Sequence, residues 1–143
     1  MKIIPFNDLK NVILQNLLFA DKCNLKMPKL MPKEDINGIG FVDESKYYYT
    51  NGYALRAEHE GTKYWYNKKG VWHREEGPAI IHTNGNHEWY FDGLRHRKGG
   101  PACEFSNGTR IWFNHGLYHR ENGPAIIYNN GKKEWWVRGK QIK

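Results

Sequence analysis

Three histidines, each followed by an arginine, recur at one fixed spacing: His73-Arg74, His96-Arg97 and His119-Arg120, 23 residues apart. Histidine is the usual general base and metal ligand near neutral pH, and arginine grips carboxylates and phosphates in a planar fork. The spacing argues against a shared metal. If each copy is one two-stranded hairpin, equivalent atoms in successive copies stand about 10 Å apart, two strand spacings, whereas zinc ligands sit about 2 Å from the ion. No metal or cofactor is expected. A residue present in every copy is explained more simply by the construction of the copy than by a catalyst needed once. The imidazoles are therefore expected to cap a turn and hydrogen-bond the backbone.

The arginines Arg74, Arg97 and Arg120 admit two roles. Each guanidinium can stack on a tryptophan face, which is structural, or point outward to a carboxylate or phosphate; in the second case a ladder of them could engage an extended polyanion periodically. Tyr90, Phe113 and Trp136 share one position beside the tryptophans but on the opposite strand face. In a single-layer sheet one of these two aromatic rows must be the less buried, and an exposed row would be a binding patch. These six residues are the candidate binding residues. Nothing matches a phosphate loop, a nucleophile elbow, a paired metal-binding Cys motif or a nuclease signature, so no enzyme is expected.

The elements that must position these side chains repeat as well. HREEGPAIIHTNGNHEWYFDGLR, HRKGGPACEFSNGTRIWFNHGLY and HRENGPAIIYNNGKKEWWVRGKQ follow one another without a break. A period of this length marks a stacked array in which each copy buries its apolar face against its neighbours. Asn84-Gly85, Asn107-Gly108 and Asn130-Gly131 lie between runs of β-branched and aromatic residues, which predicts hairpins closed by type I′ turns. The first strand spans 78–83 and the second 86–91, carrying Trp89, with Trp112 and Trp135 at the same place in later copies. Gly93, Gly116 and Gly139 then turn the chain toward the next copy.

Upstream the pattern wears away. Residues 47–52 resemble 88–93 and residues 61–66 resemble 108–113, but Trp65 precedes Gly70 by five residues where Trp89 precedes Gly93 by four. A one-residue insertion near Lys68-Lys69 follows. Residues 22–40, with Pro28, Pro32, Gly38 and Gly40, read as an irregular connector. Within residues 7–20 apolar side chains recur at helical spacing, predicting an amphipathic helix that covers the open end of the sheet. The expected fold is an all-β repeat: tandem hairpins in an elongated, twisted meander over residues 47–143, capped by an N-terminal segment, 1–46, that holds the helix.

The copies resemble the MORN repeat, also 23 residues long, at Trp89, Gly93, His96, Gly100, Asn107 and Gly108 and their counterparts. The likeness covers residues 47–141. Arg74, Arg97 and Arg120 stand where that family has a glycine, Pro78, Pro101 and Pro124 are additions, and the Tyr-x-Gly before the tryptophan is missing. The HRxxGPA form is similar to repeat proteins of large DNA viruses and bacteriophages. The resemblance implies tandem hairpins, and a role as scaffold, dimerisation surface or lipid binder.

Composition bounds the remainder. Residues 1–45 carry six lysines against six acids, and residues 46–143 carry sixteen Lys/Arg against nine, so the net +7 lies on the array. Such a face attracts acidic proteins, nucleic acid, nucleotides or anionic lipid. Cys103 occupies the place of Ile80 and Ile126, a core position, and Cys23 has no paired spacing, which together fit a reducing cytoplasm, the host's if the protein is viral. No run reaches the ~20 apolar residues of a membrane span. The expected function is a non-enzymatic interaction module, viral or phage in origin, binding a host or viral protein, with homo-oligomerisation open. The alternative is a nucleic-acid or nucleotide binder that inhibits a host defence system.

Overall fold

The computed structural model describes residues 38–42, 44–50 and 53–143. The expected helix at 7–20 lies outside the described residues. The chain divides into two compact modules, residues 1–71 and 72–143. The described residues of both are all-β, built of tandem antiparallel hairpins in open sheets.

In the first module β1 (Gly38–Val42), β2 (Ser45–Thr50), β3 (Tyr53–His59) and β4 (Thr62–Trp65) follow one another as a four-stranded antiparallel meander. Among the described residues strand structure starts at Gly38, inside the stretch expected as connector. Among the module's described residues the apolar Tyr49, Ala57 and Tyr66 are buried, and so is Ser45. The Arg56 guanidinium lies 4.5 Å from the Tyr48 ring centre and 5.4 Å from that of Trp65. The inserted residue near Lys68 has a defined place. Asn67 and Val71 close a three-residue loop ending in Gly70 at φ +76°, and the Asn67 side chain accepts the Lys69 N–H at 2.9 Å.

Each full copy in the second module makes two hairpins, where the sequence pattern suggested one. The first hairpins are β5 (Ile80–Ile81) with β6 (His87–Glu88), β9 (Cys103–Glu104) with β10 (Arg110–Ile111), and β13 (Ile126–Ile127) with β14 (Lys133–Glu134). They lie side by side in the order β5-β6-β9-β10-β13-β14. The second hairpins are β7 (Tyr90–Phe91) with β8 (Leu94–Arg95), β11 (Phe113–Asn114) with β12 (Leu117–Tyr118), and β15 (Trp136–Val137) with β16 (Lys140–Gln141). The chain changes ladder at the tryptophan. Trp89 N–H leaves its own hairpin for the Ala102 carbonyl of the next copy at 2.7 Å, and Trp112 N–H does the same to Ala125 at 2.8 Å. The expected second strand, 86–91, is therefore cut in two at its centre.

The turns correct the expectation in the same sense. At Asn84-Gly85 only Gly85 has positive φ, +85°, and Gly85 N–H bonds the His82 carbonyl at 3.1 Å. This is a type I turn followed by a left-handed glycine, the three-residue hairpin loop, and not type I′. Asn is favoured before that glycine because its side chain accepts a backbone N–H two residues on: Asn84 from Asn86 at 3.0 Å, Asn107 from Thr109 at 2.9 Å, Asn130 from Lys132 at 3.0 Å. The type I′ geometry appears instead in the second hairpin, at Asp92-Gly93 (φ +47° and +81°), His115-Gly116 and Arg138-Gly139.

The core runs between the two kinds of hairpin. Ala79, Ala102 and Ala125, which follow the prolines, are fully buried, and Ala102, Cys103 and Phe113 cluster with Trp89, Phe105, Ile111 and Tyr118 around them. Burial pushes the Cys103 thiol up to about 12, so it is an un-ionised apolar filler. Gly108→Ala isolates the backbone contribution, because at φ +92° no atom lies within 4 Å of an added Cβ. Chemical denaturation should show a loss of about 1–2 kcal/mol, the cost of a left-handed non-glycine residue.

Candidate functional site

The HRxxGPA loop is built around its arginine. Arg97 lies 3.8 Å over the Trp89 ring of the preceding copy, donates through Nη1 to the Pro101 carbonyl at 3.1 Å, and meets Glu104 Oε1 at 2.8 Å. Arg120 repeats this over Trp112 at 3.9 Å, with Pro124 O at 3.2 Å. Arg74 donates to Pro78 O at 3.1 Å. Behind the guanidinium lies the loop glycine: a Cβ on Gly100 would stand 3.0 Å from Arg97 Cζ, and one on Gly123 3.1 Å from Arg120 Cζ. In copies two and three, each planar cation is thus held between an indole and a bare Cα. The stacking and the carbonyl bond occupy these guanidinium groups in the structural way that the sequence left open.

The second candidate row divides. Tyr90 and Phe113 are buried in the core and Trp136 is half-buried. At the first two positions the row is core, not surface, because the ladder change at Trp89 and Trp112 turns the following residue into the space between hairpins.

Sequence reading missed the residue these aromatics serve. Glu88, with a side chain 12 % exposed, accepts from His82 Nε2 at 3.0 Å, Tyr90 OH at 3.1 Å, and Arg95 Nε and Nη2 at 3.1 and 2.9 Å. Burial alone would raise its carboxyl; the bonds from His82, Arg95 and Tyr90 overcome that and hold it below the usual range. One copy later the same four places hold Phe105, Ile111, Phe113 and Tyr118. In the third, Glu134 again accepts, from Tyr128 OH, Lys132 Nζ and Trp136 Nε1. Aligning the copies shows positions 82, 88, 90 and 95 changing character together, a signal that was present in the sequence.

The histidines do what their recurrence implied. His73 Nδ1 accepts the Asp92 N–H at 3.0 Å, His96 that of His115 at 3.4 Å, and His119 that of Arg138 at 3.1 Å. Each imidazole thereby holds the first residue of the next type I′ turn. His96 and His115 also stack, ring centres 4.1 Å apart, and His115 Nδ1 donates to Asn114 Oδ1 at 2.6 Å. Between the loops of copies two and three lies an open groove of about 550 Å³, whose lining includes Lys98, Gly99, Asn114, His119, Glu121 and Asn122. Among the described residues no three His, Cys, Asp or Glu side chains converge on a possible metal position, and no helix is long and apolar enough to cross a membrane.

No family model, curated protein or solved structure matches this chain.

Two measurements test this geometry. Arg97→Ala should lower stability by about 1–2 kcal/mol, the value of a partly desolvated cation–π contact. Gly100→Ala should cost a similar amount by displacing the same guanidinium, and the double variant should cost less than the sum, because both substitutions remove one contact. Strict additivity in a denaturation cycle would refute the stack. The second measurement follows pH. Burial, then the neighbouring His115, lowers the pKa of His96, against a smaller opposing bond from Asn114. The unfolded chain therefore takes up this proton first, so stability is lost as pH falls below 6.5. Glu88 adds a second loss only below 4.5. A melting-temperature series from pH 7.5 downward should show the first step, and His96→Asn, which keeps an acceptor in place of Nδ1, should flatten it.

Proposed function

We propose that this protein is a non-enzymatic interaction scaffold that recognises a partner protein along the loop edge of its repeat array. One observation carries the reading: the recurring arginine, tryptophan, histidine and Pro-Ala residues are engaged within the array, and the loop residues that differ between copies are exposed. Arginine, tryptophan, histidine, Pro-Ala and the turn glycines are the constant set, engaged in stacking, carbonyl bonds and turns. The HRxx loops read Glu75-Glu76, Lys98-Gly99 and Glu121-Asn122, and the type I′ turns begin with Asp92, His115 and Arg138; all of these are exposed. A fixed frame with a varied exposed edge is how repeat arrays present binding surfaces.

The MORN-like period supports the scaffold reading, and from the likeness of the HRxxGPA form to viral and phage repeats we infer work in a host cytoplasm. The candidate arginines contribute on this view by setting the loops, with Trp136 at the margin of the surface. A polyanion remains the alternative ligand, favoured by the exposed cations Arg110, Lys133, Arg138 and Lys140.

The decisive experiment is crosslinking capture from the native host cell with wild type and with a Lys98→Glu, Glu121→Lys, Asn122→Ala variant. A partner captured by the wild type should be lost at least tenfold by the variant, while stability stays within about 0.5 kcal/mol, as for other surface changes. Equal capture by the variant would overturn the loop edge as the site. Oligonucleotide binding with a steep salt dependence and no captured protein would favour the alternative.

A further inference from the structure

The array joins copy to copy by one docking event, made twice within the second module. The edge His87-Glu88-Trp89 receives Ala102-Cys103-Glu104: β6 pairs with β9, Trp89 N–H bonds Ala102 O, and Arg97 covers the Trp89 ring. The edge Arg110-Ile111-Trp112 receives Ala125-Ile126-Ile127 in the same way, with Arg120 over Trp112. The docked piece in each case is one eight-residue segment, Arg-x-x-Gly-Pro-Ala-x-x, whose own Arg-to-Pro bond folds it for the task.

Lys133-Glu134-Trp135 is the third such edge. Among the described residues β14 pairs only with β13. Its Trp135 makes substitute contacts: the N–H bonds Lys143 O at 3.1 Å, where the earlier tryptophans bond alanine, and the Lys143 ammonium stands 5.2 Å from the ring, where the earlier rings carry a guanidinium at 3.8 and 3.9 Å. Ile142, beside it, is 63 % exposed. Lysine is a weaker cover than arginine here, since its compact, strongly hydrated ammonium cannot lie flat on the indole.

We propose that β14 is a docking edge for an Arg-x-x-Gly-Pro-Ala-x-x segment of a partner chain, which adds antiparallel as a further strand and seats its arginine on Trp135 in place of Lys143. Strand addition to an open edge is an established mode of peptide recognition, with main-chain bonds giving affinity and side-chain pockets giving specificity. The pairing also sets a preference. In the two docked pairs the last position of the incoming segment is Glu104 opposite His87 and Ile127 opposite Arg110, so opposite Lys133 that position accepts an apolar or an acidic residue. This surface is distinct from the loop edge.

The test uses the full chain and a labelled synthetic peptide with the sequence of residues 119–129, HRENGPAIIYN. Fluorescence anisotropy should show saturable binding, weakened at least fivefold when the peptide arginine is replaced by alanine and absent for a scrambled peptide. Hydrogen exchange should slow in residues 131–137 on peptide addition and stay unchanged in the loop at 97–100. Trp135→Phe, which retains an aromatic face, should weaken binding while the chain remains folded. The Lys98, Glu121 and Asn122 variant should bind the peptide as wild type does, so failure of this proposal and failure of the loop-edge reading are distinguishable. Equal binding of the scrambled peptide, protection elsewhere in the chain, or a dimer formed through β14 without peptide would overturn it, the last by making a second copy the occupant.

Discussion

The second module depends on a cation held flat between an indole and a glycine. Its strands are only two residues long, too short for ladder bonds alone to fix register, and its fully buried side chains are mostly alanines. What joins one copy to the next is the arginine of the incoming loop on the tryptophan of the outgoing strand, with the tryptophan N–H bonded to the alanine two residues beyond the loop glycine. Every constant residue in HRxxGPA follows from that contact. Glycine leaves room for the guanidinium, proline offers the carbonyl that the guanidinium grips and has no N–H to satisfy, alanine fits where two ladders meet, and histidine ties the next turn. Basic residues recurring beside aromatics need no external polyanion to account for them.

The period was legible in the sequence, and so were the hairpins at Asn-Gly, the structural use of His73, His96 and His119, and the extra residue near Lys68. All of these rest on local chemistry that one copy displays in full. The turn type was not legible in the same way. Asn-Gly satisfies a two-residue I′ loop and a three-residue loop with a left-handed glycine equally well; the difference lies in whether His82 or a closer residue closes the loop, and pairing across copies decides that. The second hairpin was hidden for a related reason. Asp92-Gly93, His115-Gly116 and Arg138-Gly139 share only the glycine, so the position with the strongest I′ geometry has the least uniform sequence.

The aromatic row shows the same limit. An alternating pattern assigns residues to faces only if the strand continues through them, and here it changes ladder at the tryptophan. Tyr90 and Phe113 consequently turn inward, although alternation from Trp89 and Trp112 set them on the opposite face.

Comparison of copies recovers what a single copy conceals. Glu88 with His82, Tyr90 and Arg95 is a polar cluster in a partly buried place, and Ile111 with Phe105, Phe113 and Tyr118 is its apolar counterpart. Neither half of one set would be stable with half of the other: an isoleucine in place of Glu88 would leave the buried Tyr90 hydroxyl and the Arg95 guanidinium without their acceptor, and Glu88 among phenylalanines would leave a desolvated charge. The third copy takes the polar form again with different donors, Tyr128, Lys132 and Trp136. The four positions therefore vary as a group while the Arg-Trp-Gly contact stays fixed, which separates two kinds of constraint within 23 residues. The fixed contact sets how copies join, and the variable group decides only how each hairpin pair is filled. An array built on those terms can change its HRxx loop residues copy by copy without disturbing the joint, because Glu75-Glu76, Lys98-Gly99 and Glu121-Asn122 belong neither to the stack nor to the cluster.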